Sequence, residues 1–143
     1  MLSKASQYGI LAMMYLARQP RHRFYKVSEI ARALGISASF LTKVFQRLTD
    51  AGLTRSYRGP TGGVQLKKHP RRITVLDIIV AVDGDRLFRE CVLGLPGCGD
   101  DAPCPIHDQW SKERERLKNM FASLTLDELV RNPVRYRYTL LAE

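Results

Sequence analysis

The fold is decided by residues 27–68, VSEIARALGISASFLTKVFQRLTDAGLTRSYRGPTGGVQLKK. The first part predicts a short helix that follows Ser28 and ends at Gly35, because glycine suits the left-handed residue that closes a helix. The second part predicts a longer helix that begins at Ser37 and ends at Gly52. The apolar residues of this longer helix recur at i, i+3, i+4 and i+7: Leu41, Val44, Phe45 and Leu48. Two helices joined by a short turn with glycine are typical of a helix-turn-helix.

The last part of the stretch, LTRSYRGPTGGVQLKK, predicts two short strands around a tight Gly/Pro turn. This β-hairpin carries four basic side chains: Arg55, Arg58, Lys67 and Lys68. A basic hairpin directly after a helix-turn-helix is typical of a wing. Arg58 is predicted at its tip, where it can enter a minor groove that concentrates negative potential. The predicted fold is mainly α with a small β-hairpin wing, a winged helix-turn-helix.

Helices are predicted on both sides of this stretch. Residues 2–20 predict a first helix that is capped by Ser3 and ends before Pro20. Together with the helix-turn-helix and the wing, this helix makes up a predicted DNA-binding region at residues 1–72. Residues 73–143 would then hold a short apolar linker helix, which opens with a capping box from Thr74 to Asp77. A cysteine loop at 91–104 comes next, followed by a helix of about five turns over 105–124 with Cys104 or Pro105 at its first position, and by a C-terminal tail.

The long helix is predicted to carry a narrow apolar stripe: Ile106, Trp110, Leu117, Phe121 and Leu124. Three of these residues are spaced seven apart and the flanks are charged, a pattern that most often packs on another helix. In a chain of 143 residues we expect that helix to come from a second copy. The stripe is therefore the predicted interface of a homodimer.

Positive charge is concentrated in the front half of the chain. Residues 1–72 carry 14 basic and 2 acidic side chains, a formal charge of +12, whereas residues 73–143 carry −3. A basic half on a folded sequence indicates a polyanionic partner, although a solubility surface is the alternative. The residues predicted to contact double-stranded DNA lie at the start of the first helix, on the outward face of the second helix of the pair and on the wing: Ser3, Lys4, Ser37, Ser39, Thr42, Lys43, Gln46, Arg47, Arg55, Arg58, Gly59 and Thr61.

All three cysteines lie in one stretch, CVLGLPGCGDDAPCPIHDQW, residues 91–110. The chain shows neither a secretory signal nor a run of ~20 apolar residues, so we expect a cytoplasmic protein without disulfides or a membrane span. Cys104 and His107 are spaced i and i+3 across a predicted helix start, so both side chains can face one point. Gaps of six and five residues between the cysteines argue against a zinc finger. An iron-sulfur cluster, redox-active thiols and a zinc site all stay open at this point.

An enzyme is the rival class, for instance a small thiol oxidoreductase. Such an enzyme would prefer a C-x-x-C motif and a pocket-forming sheet, and the sequence offers neither. A metal-storage protein would not need a wing. We therefore do not expect an enzyme.

These motifs resemble the Rrf-type winged-helix transcriptional regulators, a family that includes iron-sulfur cluster regulators and nitric-oxide-sensitive repressors. The resemblance rests on SQYGILAMMYLA (6–17), on SEIARALGISASFLTKVFQRLTDAGL (28–53), on the wing RSYRGPTGGVQL (55–66) and on the cysteines leading into CPIHDQW (104–110). It implies a homodimer that binds a partly palindromic operator. It also implies an iron-sulfur cluster of two or four irons, which would control operator affinity and would be held by four residues: Cys91, Cys98, Cys104 and His107.

Overall fold

A computed structural model describes residues 1–132, and these contain six α-helices and one two-stranded antiparallel sheet. The elements follow in this order: α1 (Lys4–Arg18), α2 (Val27–Leu34), α3 (Ala38–Asp50), β1 (Thr54–Tyr57), β2 (Gly63–Leu66), α4 (Val75–Asp83), α5 (His107–Ser123) and α6 (Leu126–Arg131). Single 3-10 turns at Pro70–Arg72 and Arg86–Phe88 flank α4. The predicted fold class is confirmed. Residues 133–143, most of the predicted tail, lie outside the described part of the chain.

The core lies where α1 packs against α3 and α4. The predicted inner face of α3 is confirmed, since its four apolar residues are all buried: Leu41, Val44, Phe45 and Leu48. They meet fully buried residues of α1 and α4: Ala12, Met13 and Ile78. Burial of one face leaves the opposite face of α3 open to solvent.

Local signals set most helix ends as predicted. Ser3 caps α1 by accepting a hydrogen bond from the Ser6 N–H, and Ser37 caps α3 by accepting one from the Phe40 N–H. Thr74 and Asp77 form the predicted capping box at α4. These interactions satisfy backbone donors that a helix start leaves without partners.

The predicted start of α2 after Ser28 is wrong, because the helix already begins at Val27. Tyr25 pairs with Val64 of β2 through two backbone hydrogen bonds, so the chain is extended up to Lys26 and turns into a helix directly afterwards. Ser28 therefore lies within the first turn of α2. A contact between residues far apart in sequence sets this boundary.

Two features near the C-terminal end also differ from expectation. The long helix begins at His107 and not at residue 104 or 105, because Cys104 stays in the loop and donates its N–H to the sulfur of Cys98. The region after it forms a further helix, α6, where a plain tail was predicted. Leu126 at its first position is fully buried, and Thr125 with Glu128 forms its capping box.

Within residues 1–132, every helix is too short or too polar to cross a bilayer.

Candidate nucleic-acid interface and metal centre

The outward face of α3 carries the polar side chains that the sequence predicted there. Thr42, Lys43, Gln46 and Arg47 are all exposed, as are Ser37 and Ser39 at its start. Within the described chain, Lys43 and Gln46 form no hydrogen bond or ion pair, whereas the Thr42 hydroxyl donates to the Ala38 carbonyl of its own helix. The Ser37 and Ser39 hydroxyls bond to each other at 2.9 Å. The side chains of Lys43 and Gln46, in the middle of the helix, are therefore the ones with hydrogen-bonding groups free to contact another molecule.

Arg47 and Ser3 also form hydrogen bonds with residues at the end of α4. A guanidinium nitrogen of Arg47, Nη1, donates to the Val82 carbonyl at 2.6 Å. The hydroxyls of Ser3 and Ser6 both donate to the carboxylate of Asp83, the Ser6 bond being 2.7 Å long. The last turn of α4 is thus bonded to the outer face of α3 and to the first turn of α1. Sequence reasoning missed these contacts, since the residues lie 35 or more positions apart.

The wing, residues 54–66, is an antiparallel hairpin in which Thr54 lies opposite Leu66 and Tyr57 lies opposite Gly63. The predicted contact residues on it are all exposed: Arg55, Arg58, Gly59 and Thr61. Between α3 and the wing runs a cleft of about 590 Å³. Thr42 and Gln46 line it on the helix side, and Tyr57 and Arg58 line it on the wing side. The structure therefore brings the predicted groups of helix and hairpin to the two sides of one cleft.

The three cysteines come together in the loop 91–104. Their sulfur atoms all lie within 4.8 Å of one another, and the sulfurs of Cys91 and Cys104 are 3.7 Å apart. Each thiol is free and half-buried. Three convergent thiols are a soft donor set that suits iron-sulfur clusters and zinc.

His107, the first residue of α5, joins this group through Cys98. Its Nδ1 lies 3.4 Å from the Cys98 sulfur, and its Nε2 lies 3.1 Å from a carboxylate oxygen of Asp100. A carboxylate that accepts the Nε2 proton leaves the Nδ1 lone pair facing the thiols, which is the usual arrangement behind a metal-binding histidine. Asp100 is exposed and lies within the cysteine loop 91–104. No sequence signal indicated its contact with His107, because the contact depends on how the loop folds.

The electrostatics distinguish the cysteines. A hydrogen bond from the backbone of Leu95, with a smaller one from Leu93, stabilises the Cys91 thiolate and lowers its pKa to about 7. The pKa of Cys98 is raised: the Cys104 N–H opposes this change, but loss of water and the neighbouring sulfurs outweigh it. The Cys91 thiol therefore ionises before that of Cys98.

The chain entering the cysteine loop is held by α5. The indole Nε1 of Trp110 donates to the Glu90 carbonyl at 2.9 Å, and the Arg114 guanidinium donates to the carbonyls of Arg89 and Glu90. The residues just before Cys91 are thus bonded to the first two turns of the long helix. Trp110, predicted as an interface residue, also has this role within the chain.

The rest of the predicted interface stripe is half-buried. Leu117, Phe121 and Leu124 pack against α4 and the 3-10 turn after it, with the rings of Phe88 and Phe121 6.2 Å apart. Ile106 precedes α5. None of the described residues of α5 is fully buried, and an apolar groove of about 530 Å³ runs beside it, lined by Leu117 and Phe121 among others. The homodimer stays a prediction.

A winged helix-turn-helix with a basic outer face, joined to a three-thiol centre, defines a class of transcriptional regulators. The Rrf2 family model, described as an iron-dependent transcriptional regulator, matches residues 2–132, and this chain belongs to that family. It is 34% identical over 131 residues to the HTH-type transcriptional regulator IscR of Xenorhabdus nematophila, an alignment that covers 92% of this chain and 79% of the relative.

Solved structures agree with this assignment. The global cysteine regulator CymR of B. subtilis superposes with a TM-score of 0.76 at 27% identity, covering 92% of this chain and 96% of that one. IscR of T. potens superposes with a TM-score of 0.72 at 27% identity, covering 92% and 86%. The chain is therefore a transcriptional regulator of a DNA-binding family.

Proposed function

We propose that two copies of this chain bind a partly palindromic operator in double-stranded DNA, with an affinity controlled by an iron-sulfur cluster. The cluster would be held by Cys91, Cys98, Cys104 and His107. The observation that carries the proposal is the convergence of three thiol sulfurs within 4.8 Å, with His107 turned toward one of them. The family description, an iron-dependent regulator, agrees with iron as the metal.

The distances between the donor atoms fit a metal centre. Two thiolates on one tetrahedral metal ion, each ~2.3 Å from it, lie ~3.8 Å apart, and a thiolate and an imidazole nitrogen lie ~3.6 Å apart. The Cys91–Cys104 distance is 3.7 Å and the Cys98–His107 distance is 3.4 Å. Because all three sulfurs also lie within 4.8 Å of one another, the four donors converge on one centre; iron in place of zinc is proposed from the family description. When bound, the cluster supplies a redox-sensitive centre that oxidants can alter or remove.

A short series of contacts leads from the thiols to the DNA-binding face. The chain before Cys91 is bonded to α5, and it follows the 3-10 turn at the end of α4. That end of α4 is in turn bonded to α1 through Asp83 and to α3 through Arg47. A change in the cysteine loop can therefore shift α3 and the wing. Coupling free energies of ~1–3 kcal/mol correspond to roughly 5- to 150-fold changes in operator affinity.

DNA recognition is assigned to the two sides of the cleft. Lys43 and Gln46 have no described partner and can reach base edges in a major groove, and Arg58 at the wing tip can enter the adjacent minor groove. The exposed serines and Thr42 are suited to phosphates. The apolar groove beside α5 agrees with a second copy packing on Leu117 and Phe121.

The test begins with protein purified without air. We expect visible iron-sulfur absorption with iron and sulfide in equal amounts, and binding to duplexes selected from a random library that changes at least fivefold when the cluster is removed. Cys98→Ala should abolish the absorption and leave the circular dichroism unchanged. One zinc per chain, with failed reconstitution by iron and sulfide, would overturn the cluster; absence of any selected duplex would overturn the regulator.

Asp100 and Asp101 offer a matched pair for the fourth ligand. Both are exposed, yet only Asp100 contacts His107. Asp100→Asn should make the cluster bleach faster in air, as His107→Ala should, whereas Asp101→Asn should match the wild type. Equal bleaching rates for all four proteins would remove His107 from the ligand set.

A further inference from the structure

A second basic surface lies beside the wing and was not assigned to DNA from the sequence. Residues 19–26, QPRHRFYK, connect α1 to α2 and contain three cationic side chains and no acidic one. Arg21, Arg23 and Lys26 are exposed, and none forms an ion pair with a described acidic residue. We call these residues the basic segment.

The backbone of the basic segment is fixed to the sheet. Tyr25 donates its N–H to the Val64 carbonyl at 2.9 Å and accepts the Val64 N–H at 2.8 Å, so an isolated antiparallel bridge joins the segment to β2 on the side away from β1. The side-chain amide of Gln65 donates to the carbonyls of Arg21 and Arg23, at 2.8 and 3.3 Å. The Tyr25 hydroxyl donates to the Pro20 carbonyl at 2.7 Å and closes the loop.

Ring contacts fix the side chains as well. The guanidinium of Arg23 lies over the Tyr25 ring, 4.4 Å from its centroid, and the Phe24 ring lies 5.7 Å from that of Tyr57 on the wing. Stacking on an aromatic face holds a guanidinium without neutralising its charge. The basic segment and the wing therefore form one rigid unit that presents cations from both edges of the sheet.

We propose that the basic segment is a second contact surface for the DNA backbone, in which Arg21, Arg23 and Lys26 bind phosphates outside the bases read by α3. This inference rests on the proposed DNA binding. Planar guanidinium groups match phosphate oxygens with two parallel hydrogen bonds, and a pre-ordered loop loses little entropy when it binds. A surface that only keeps the protein soluble would not need the bonds from Gln65 or the buried Tyr25.

The signature of phosphate contacts is their dependence on salt. Each phosphate neutralised on B-DNA steepens the slope of log affinity against log salt by ~0.9. Because two copies bind one operator, Arg21→Gln with Arg23→Gln removes four phosphate contacts, and it should reduce the slope by roughly 3.6 and weaken binding by at least roughly 100-fold near 0.1 M salt. The loss should be the same for a selected duplex and for a random one, because phosphates carry no sequence information.

Two further variants separate charge from structure. Lys112→Gln with Lys118→Gln removes the same charge from exposed positions of α5 and should leave the slope unchanged. Arg21→Lys with Arg23→Lys keeps the charge and should restore the slope. Gln65→Leu keeps every cation but frees the loop, and should weaken binding a few-fold with the slope retained.

Three outcomes would overturn the inference. One is a slope and affinity for the double glutamine variant that equal those of the α5 control. Another is a loss of affinity with no change of slope. The third is binding of the wild type to phosphatidylserine vesicles that this variant abolishes while its duplex binding stays intact. If the wild type binds no duplex at all, the proposed function itself fails, which is a different result.

Discussion

Gly63 is the residue on which attachment of the basic segment to the wing depends. It has a φ of +146°, and a Cβ built on it would overlap the carbonyl group of Tyr25 and lie 2.9 Å from the Lys26 nitrogen. The obstructing atoms are backbone atoms, so no change of side-chain rotamer relieves the overlap. Gly63→Ala must therefore push Tyr25 and Lys26 away from β2.

The expected cost has two parts. A non-glycine residue in a sparsely populated backbone region costs about 1–3 kcal/mol. Loss of the two Tyr25–Val64 hydrogen bonds adds about 0.5–1.5 kcal/mol each, which gives about 2–6 kcal/mol in all. Gly52 provides the control: its φ is +77° and its Cβ would meet no atom within 4 Å, so Gly52→Ala should cost only about 1–2 kcal/mol.

Urea unfolding followed by circular dichroism measures both variants, with the free energy obtained by linear extrapolation. Gly63→Ala should be the less stable of the two, and it should also lose duplex affinity because the basic segment is released. A free energy of unfolding for Gly63→Ala no lower than that for Gly52→Ala would refute the steric reasoning. Unchanged duplex binding in a destabilised variant would show that the segment does not need the sheet.

Three other expectations address the wing, the dimer and the thiols. Arg58→Ala should weaken operator binding by roughly tenfold and alter the preference at an A/T-rich flank, as measured by titration of labelled duplexes; unchanged affinity would show that the wing assignment is wrong. Leu117→Glu with Phe121→Glu should yield monomers or aggregates in sedimentation, and monomers cannot bridge half-sites ~34–36 Å apart; an intact dimer would contradict the interface. In metal-free protein, iodoacetamide should modify Cys91 before Cys98 at pH 7, and more slowly as the pH falls below 7, because the pKa of Cys91 is about 7 while that of Cys98 is raised; peptide mass spectrometry showing equal rates would argue against this order.

The parts of the fold that local chemistry specifies could be predicted from the sequence. Ser37 and Thr74 mark helix starts because their side chains bond to backbone three residues ahead, and Gly35 ends α2 with a φ of +66°. The spacing of cysteines was likewise enough to indicate one metal or redox centre. Each of these signals lies within a few residues of the feature that it predicts.

The remaining features depend on contacts between distant residues. The start of α2 follows from Tyr25 pairing with Val64, and the late start of α5 follows from the bond that keeps Cys104 near Cys98. The helix α6 is an exception, because the capping box at Thr125 was present in the sequence and was not used. Only the folded loop brings Asp100 to His107, so no pattern of residues along the chain indicated that contact.

Arg47 shows how one side chain can serve both parts of the proposed function, DNA binding and its control. Its position on the outer face of α3 predicted a DNA contact, and the structure adds a hydrogen bond to Val82 at the end of α4. A guanidinium has five N–H donors, so one bond to a carbonyl leaves four for a duplex. The bond therefore does not remove Arg47 from the DNA face. It links α3 to the helix that leads to Cys91, and the proposed coupling would use this bond to pass a displacement of either element to the other.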